Sequence, residues 1–197
     1  MRPLSRLIRI RMLRFSSDRR GIAATEFALI APALIFLVMG VLEMSMRFRA
    51  SEEATRYVHQ VADLISRENT LTTADLDKIY DASIYMMKPL DTTENLDLDI
   101  SSVMFKTHAA TPTIVWRRTA GAEVPFNAAE AANMGVEDET VIRIGIKYKY
   151  TSVLTNLFGG AHLDIVRSAF ARPREERTIK IDGNSEDNGG TARTFGS

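Results

Sequence analysis

The chain contains no cysteine, which excludes disulfides, zinc–thiolate sites, iron–sulfur clusters and thiol nucleophiles. It has no excess of either charge: 25 basic side chains balance 25 acidic ones. A total of zero argues against a uniformly basic nucleic-acid binder. The sequence also lacks a Walker loop, a G-x-S-x-G elbow and an H-E-x-x-H pair. Its three histidines, His59, His108 and His162, are far apart and have no nucleophile motif beside them. They read as surface or hydrogen-bonded structural residues. The acidic stretch from Asp182 to Asp187 has the flavour of a calcium loop, but it lacks the sixth-position glycine and the distal bidentate glutamate. It reads as a solvated tail. No enzymatic activity, cofactor, metal or small-molecule substrate is expected.

What is present is an ordinary globular balance, with 45% hydrophobic and 25% charged residues among 197. That excludes wholesale disorder, collagen-like repeats and a polytopic membrane protein. The length suits one domain with an appendage.

The charge is unevenly placed. Residues 1–20 hold seven arginines, Arg14, Arg19 and Arg20 among them, against the single acid Asp18. The arm therefore carries +6 and the remainder −6. Directly after it, Ile22–Leu42 reads IAATEFALIAPALIFLVMGVL, 21 residues with one charge, Glu26. At about 1.5 Å per residue this run crosses a hydrocarbon core about 30 Å thick. It reads as one transmembrane helix. Arginines clustered at one membrane end mark the cytoplasmic side, so the chain is expected N-in and C-out. A cleaved secretory signal fits poorly, since the apolar run is long and no small-x-small site follows it. A nucleic-acid-binding arm fits poorly beside a span.

Glu26 sits about one turn into the apolar run, where a carboxylate is costly unless it snorkels or finds a cationic partner. The segment Gly21-Ile22-Ala23-Ala24-Thr25-Glu26-Phe27 resembles a type IV prepilin-like cleavage site. That resemblance implies a membrane aspartyl peptidase cutting after Gly21, with Glu26 becoming the fifth residue of the mature chain. Its carboxylate would then pair with the new amine at Ile22 in an assembled filament. The longer stretch RRGIAATEFALIAPALIFLVMGVLE is similar to the start of TadE-like proteins, the pseudopilins of tight-adherence (Tad, or Flp) pilus systems. The Glu26-Phe27 pair with Ala28-Leu29-Ile30-Ala31-Pro32 is the most family-like part. Later segments also fit the family, including Thr72–Leu76, Tyr148–Tyr150 with Leu154 and Leu157–Gly160, and Ala171–Arg174. The implied role is that of a minor pseudopilin in the inner membrane. Its partners would be a prepilin peptidase and other pilus, pseudopilin or assembly subunits. An uncleaved single-pass scaffold of the same system is the alternative, followed by a membrane-anchored periplasmic enzyme or binding protein.

Pro32 lies mid-span and is expected to kink the helix, because proline lacks an amide proton and crowds the carbonyl of Ala28. Ala24, Ala28, Ala31 and Gly40 offer small surfaces for helix packing.

Beyond the span the expected fold is α+β and pilin-like. Apolar residues at three- and four-residue steps, from Met46 through Ala50, Ala54, Tyr57, Val58, Val61, Leu64 and Ile65, continue the helix to about Glu68. No proline or glycine lies between Val41 and Leu71, so the helix from Ile22 to about Glu68 is expected to be roughly 70 Å long. Thr72 or Thr73 caps a middle helix with Leu76, Ile79, Tyr80, Ile84, Met87 and Leu90 as its stripe, and Pro89 ends it. Four strands follow, at Leu96–Lys106, Thr113–Arg118, Glu139–Val153 and Leu163–Ala171. They form an antiparallel sheet with one face on the long helix. Trp116 reads as a packing residue. Residues 119–138 read as a loop or short helix. The expected parts are a basic cytoplasmic leader at 1–21, a span at 22–42, a periplasmic domain at 43–172 and a disordered tail at 173–197.

Overall fold

The computed structural model describes residues 20–105, 112–131, 134, 139–152, 162–174 and 178–183. The arginine arm, with Arg14 and Arg19, lies outside the described residues, as do His108, Leu154 and Leu157–Gly160. The chain divides after Ser45 into two compact units.

The first helix, α1, runs Arg20–Ser66 without interruption, Pro32 included. It belongs to the first unit as far as Ser45 and to the second from Met46 onward. A two-residue strand β1 (Thr70–Leu71) and a second helix α2 (Thr73–Met86) follow it. The remaining elements are β2 (Leu96–Met104), β3 (Thr113–Ala120), a single 3-10 turn at Ala128–Ala131, β4 (Thr140–Tyr150), β5 (Leu163–Ala171) and β6 (Lys180–Ile181).

Strands β2 to β5 make one antiparallel sheet in the order β3-β2-β4-β5. The expected sheet is therefore present, with strand ends within a few residues of the pattern. The pairing of β2 with β3 is irregular at one point, a register shift between Ser102 and Val103. One face of the sheet carries Leu98, Ile100, Ile142, Ile144 and Ile146. These share a core with Ala50, Ala54, Tyr57, Val58, Val61 and Ile65 of α1. The alanines let helix and sheet approach, and the larger side chains interdigitate around them. Tyr57 is buried, so its hydroxyl needs a partner; it donates to Ile79 O of α2 at 3.0 Å. Burial pushes that phenol well above its ordinary range.

Three members of the expected helical stripes face outward. Met46 and Leu64 on α1 are 48% and 52% exposed, and Ile84 on α2 is 39% exposed. Each sits at the margin of its stripe, where one further step of about 100° turns a side chain away from the core.

The opposite face of the sheet is covered as well, which the alternation of strand residues did not reveal. Val103, Phe105, Val141 and Ala131 form a second, smaller core with Phe126 and Phe170. The segment after β3 thus folds over this face, and β2 is buried along almost its whole length.

Within the tail expected to be disordered, the described residues 178–183 pack against the rest of the second unit. Lys180 and Ile181 pair in parallel with Thr70 and Leu71, and Ile179 and Ile181 are buried. Trp116 donates from Nε1 to Ile179 O at 2.8 Å. Asp182 accepts from the amide of Thr73 at 3.0 Å and from its hydroxyl at 2.6 Å. A carboxylate at the first turn of α2 is stabilised by the unpaired amides and the helix dipole. Asp182, part of the faint calcium-loop pattern, is thus a clasp on α2.

Candidate functional site

The strongest chemical motif in the sequence lies on the first turns of α1. Gly21, Ile22, Glu26 and Phe27 are all helical and all exposed within the chain. Ile22 is 54% and Phe27 67% exposed. Ile22 and Glu26 stand four residues apart, hence on one helix face about one turn apart. Thr25 donates its hydroxyl to Ile22 O at 2.8 Å, the local bond by which a β-branched polar residue satisfies itself in an apolar helix. A Cβ built on Gly21 meets nothing within 4 Å, and the same holds for Gly40. Neither glycine is therefore required by packing inside the chain. Arg20 begins the helix, so the Gly21–Ile22 peptide bond already lies in helical conformation.

The apolar stretch that follows is one of the most exposed parts of the described chain. An 18-residue window has mean hydropathy 2.3 with 6% of it buried. Leu29, Ile30, Leu34, Phe36 and Leu37 point outward on all sides rather than along one stripe. A helix apolar all round must be sheltered by something other than its own fold, and a bilayer or other helices are the available shelters. By length and composition this is the one helix among the described residues able to cross a membrane.

A second polar arrangement was not foreseen from sequence. Asp97 and Asp99 alternate with Leu96, Leu98 and Ile100 on β2, so they point to the face away from α1. Asp99 is fully buried beneath the segment after β3. Arg117 Nε lies 3.1 and 3.0 Å from its two oxygens, and Nη2 of the same guanidinium also donates to it. The amide of Val124 donates to Asp99 at 3.2 Å. Arg143, almost fully buried, approaches Asp99 at 3.5 Å, donates to Pro125 O at 2.6 Å and stacks 5.0 Å above Phe126. Burial pushes the Arg143 guanidinium below its ordinary range, with Asp99 working against that shift. Hydrogen bonding to Asp99 holds Arg117 above its ordinary range.

Two glycines make room for this cluster. A Cβ on Gly145 would fall 2.8 Å from Arg143 Nη2. Gly121, at φ +84°, would place one 2.2 Å from Asp97 Oδ1, which accepts from the amide of Ala122 at 2.9 Å. The charges tie the segment after β3 to the sheet: each aspartate holds a backbone amide, and each arginine holds a carboxylate or carbonyl. The legible signal was L-D-L-D-I itself, since acids at every second place on a strand buried on its other face demand cations.

His59 is exposed on α1, and His162 is exposed with Nδ1 3.1 Å from Thr151 Oγ1. Among the described residues no three of histidine, aspartate or glutamate are grouped as metal ligands. A cleft of about 280 Å³ between the end of α1 and α2 is lined in part by Leu64, Glu68, Asp75 and Lys78, the last two joined by an ion pair of 3.0 Å.

Compared with known proteins, residues 21–63 match the family described as TadE-like protein. The matched segment begins at Gly21 and ends inside α1. No curated protein and no solved structure matches the chain.

Proposed function

We propose that this chain, TadE-like over residues 21–63 and so associated with a Tad-type pilus, is a minor pseudopilin cleaved after Gly21 by a prepilin peptidase. The apolar helix is inserted with its arginine arm in the cytoplasm, and the α+β unit stands in the periplasm. The observation that carries this reading is a long helix that opens on G-x4-E-F and exposes apolar side chains around its whole circumference. Removal of residues 1–21 takes away the +6 arm and creates an amine at Ile22. Glu26, one turn along the same face, is placed to receive that positive charge from the same or a neighbouring helix. A kink at Pro32 helps the helix bend toward its neighbours.

A peptidase needs an extended segment in its cleft. The Gly21–Ile22 bond lies in the first turn of α1, where few intrahelical bonds oppose unwinding and glycine lowers the cost of leaving the helix. The same helical placement supports the second reading, an uncleaved single-pass scaffold of the same system.

Sequencing the N-terminus of the protein from cells with and without the peptidase separates the two. A start at Ile22 that reverts to Met1 without the peptidase supports the pseudopilin; an unchanged Met1 start removes it. Gly21→Arg is a clean second arm because the added side chain meets open space. It should block processing while leaving the folded unit unchanged.

A further inference from the structure

The cleft of about 280 Å³ between the end of α1 and α2 belongs wholly to the second unit. Its floor is apolar: Ile65, Leu71 and Ile79 line it and are buried. Leu64 forms an exposed apolar wall. Two carboxylates stand at the rim. Asp75 is engaged by Thr72 and Lys78, whereas Glu68, just past α1, is exposed.

The converse feature stands two turns further along α2. Tyr85 is 73% exposed, and Ile84 beside it is exposed as well. The Lys88 ammonium lies 5.2 Å from the centroid of the Tyr85 ring, so ring and cation form one exposed knob. Tyr85 follows Lys78 by seven residues. Knob and cleft rim therefore share one side of α2, about 10 Å apart along its axis.

That placement suits reciprocal use. Two copies with α2 antiparallel bring each Tyr85 to the other's cleft, because across a two-fold residue i meets j and j meets i. The ring would lie on Ile65 and Ile79 and cover Leu64. Thr70, also in the lining, offers a hydroxyl to the phenol, whose O–H needs a partner once water is excluded. Lys88 travels with the ring and arrives at Glu68, so the charges are complementary. Asp81, which falls nearest the two-fold, is exposed and can stay turned to solvent.

We propose that Tyr85 and Lys88 of one copy dock into the cleft beside Leu64 and Glu68 of a second copy, making a reciprocal contact between folded units. This goes beyond the pseudopilin reading and needs neither cleavage nor a membrane. Each tyrosine buries about 150–250 Å². Two of them cover far less than the roughly 1,200 Å² of a stable complex. The contact is therefore weak and reversible, suited to subunits already gathered by other contacts.

The test places the photoreactive p-benzoylphenylalanine at position 85 of the full chain in detergent micelles and maps crosslinks between copies by mass spectrometry. They should fall on residues 64–79. With that reporter in place, Glu68→Lys should lower their yield about fivefold, the factor for an exposed ion pair at the upper end of its range. Lys88→Glu should do the same, and E68K/K88E should restore the yield. Glu68 and Lys88 are both exposed, so the variants should fold, and Trp116 fluorescence checks that they do. Copies gathered through α1 alone would give crosslinks that charge reversal leaves unchanged. That result, crosslinks outside residues 64–79, no crosslink between copies, or no recovery in E68K/K88E each overturns the proposal.

Discussion

The leucines of Ile22–Leu42 and the isoleucines of β4 are equally apolar side chains, yet their fates are opposite. Leu29 on α1 is 83% exposed and Leu34 50%, whereas Ile142, Ile144 and Ile146 on β4 are fully buried. Hydrophobicity does not by itself decide burial; pattern does. In β4 the apolar residues take every second place, so one face can be given to α1 while Arg143, Lys147 and Lys149 occupy the other. In the first unit the apolar residues take nearly every place, so no orientation against a single partner buries them all. The same helix changes character once it enters the second unit. From Ala50 to Ile65 its buried residues return at three- and four-residue steps and join the core. One continuous α1 thus carries two programmes, one written for lipid or other helices and one for its own sheet.

The sharpest way to break that contrast is to damage one unit and watch the other. Asp99 is fully buried between Arg117 and Arg143. Asp99→Ala leaves Arg143 buried without its carboxylate and releases the amide of Val124. Removing one member of such a pair costs about 3–5 kcal/mol. Arg117 is still 22% exposed and can recover some hydration, so the lower end applies. Urea unfolding followed by Trp116 fluorescence should show that loss, while resistance to carbonate extraction stays unchanged. Loss of anchoring in the same variant would mean that the two units do not stand independently.

The converse substitution is Leu34→Arg. Leu34 lies close to the middle of the apolar run and half its surface is exposed, so the second unit does not depend on it. A central arginine costs about 2.5–3.5 kcal/mol of insertion. The expected result is a fall in the membrane-integrated fraction with no shift in the unfolding midpoint of the second unit. An unchanged integrated fraction would contradict the membrane role of α1.

These contrasts also explain what could be read in advance. The helix, the four strands and the cleavage-like motif rest on local periodicity and short spacings, which a sequence displays directly. The features that escaped reading are non-local. Thr70–Leu71 and Lys180–Ile181 are too short to show a period, and they become strands only by pairing across more than 100 residues. The segment around Val124 and Phe126 has small, polar neighbours and no alternation, so its role as a cover depends on Asp97 and Asp99 waiting beneath it. Ile179 and Ile181 looked like isolated apolar residues in a charged tail, yet Trp116 holds the backbone between β5 and β6 in place.

The smallest expected effect sits at the start of α2, and it tests whether the second unit's stability is local or shared. Thr72 caps the helix: its hydroxyl accepts from the Asp75 amide at 3.2 Å, and Asp75 Oδ2 accepts from the Thr72 amide at 3.2 Å. Thr72→Ala should cost about 1 kcal/mol. The Thr72 hydroxyl, with Lys78 behind it, holds the Asp75 carboxyl below its ordinary range. The folded state therefore binds that proton more weakly than the unfolded chain does. Its stabilising contribution is complete above about pH 4, the ordinary carboxylate value, and fades as pH falls through the lower folded value. The difference in Tm between the wild-type chain and Asp75→Asn should accordingly be present at neutral pH and shrink toward zero in acid. Asp182 also touches this turn, through Thr73, so Asp182→Asn should lower Tm as well and loosen the β1–β6 pairing. A Tm change in Asp75→Asn that persists unchanged at low pH would show that the substitution acts through packing of α2 rather than through the capping carboxylate.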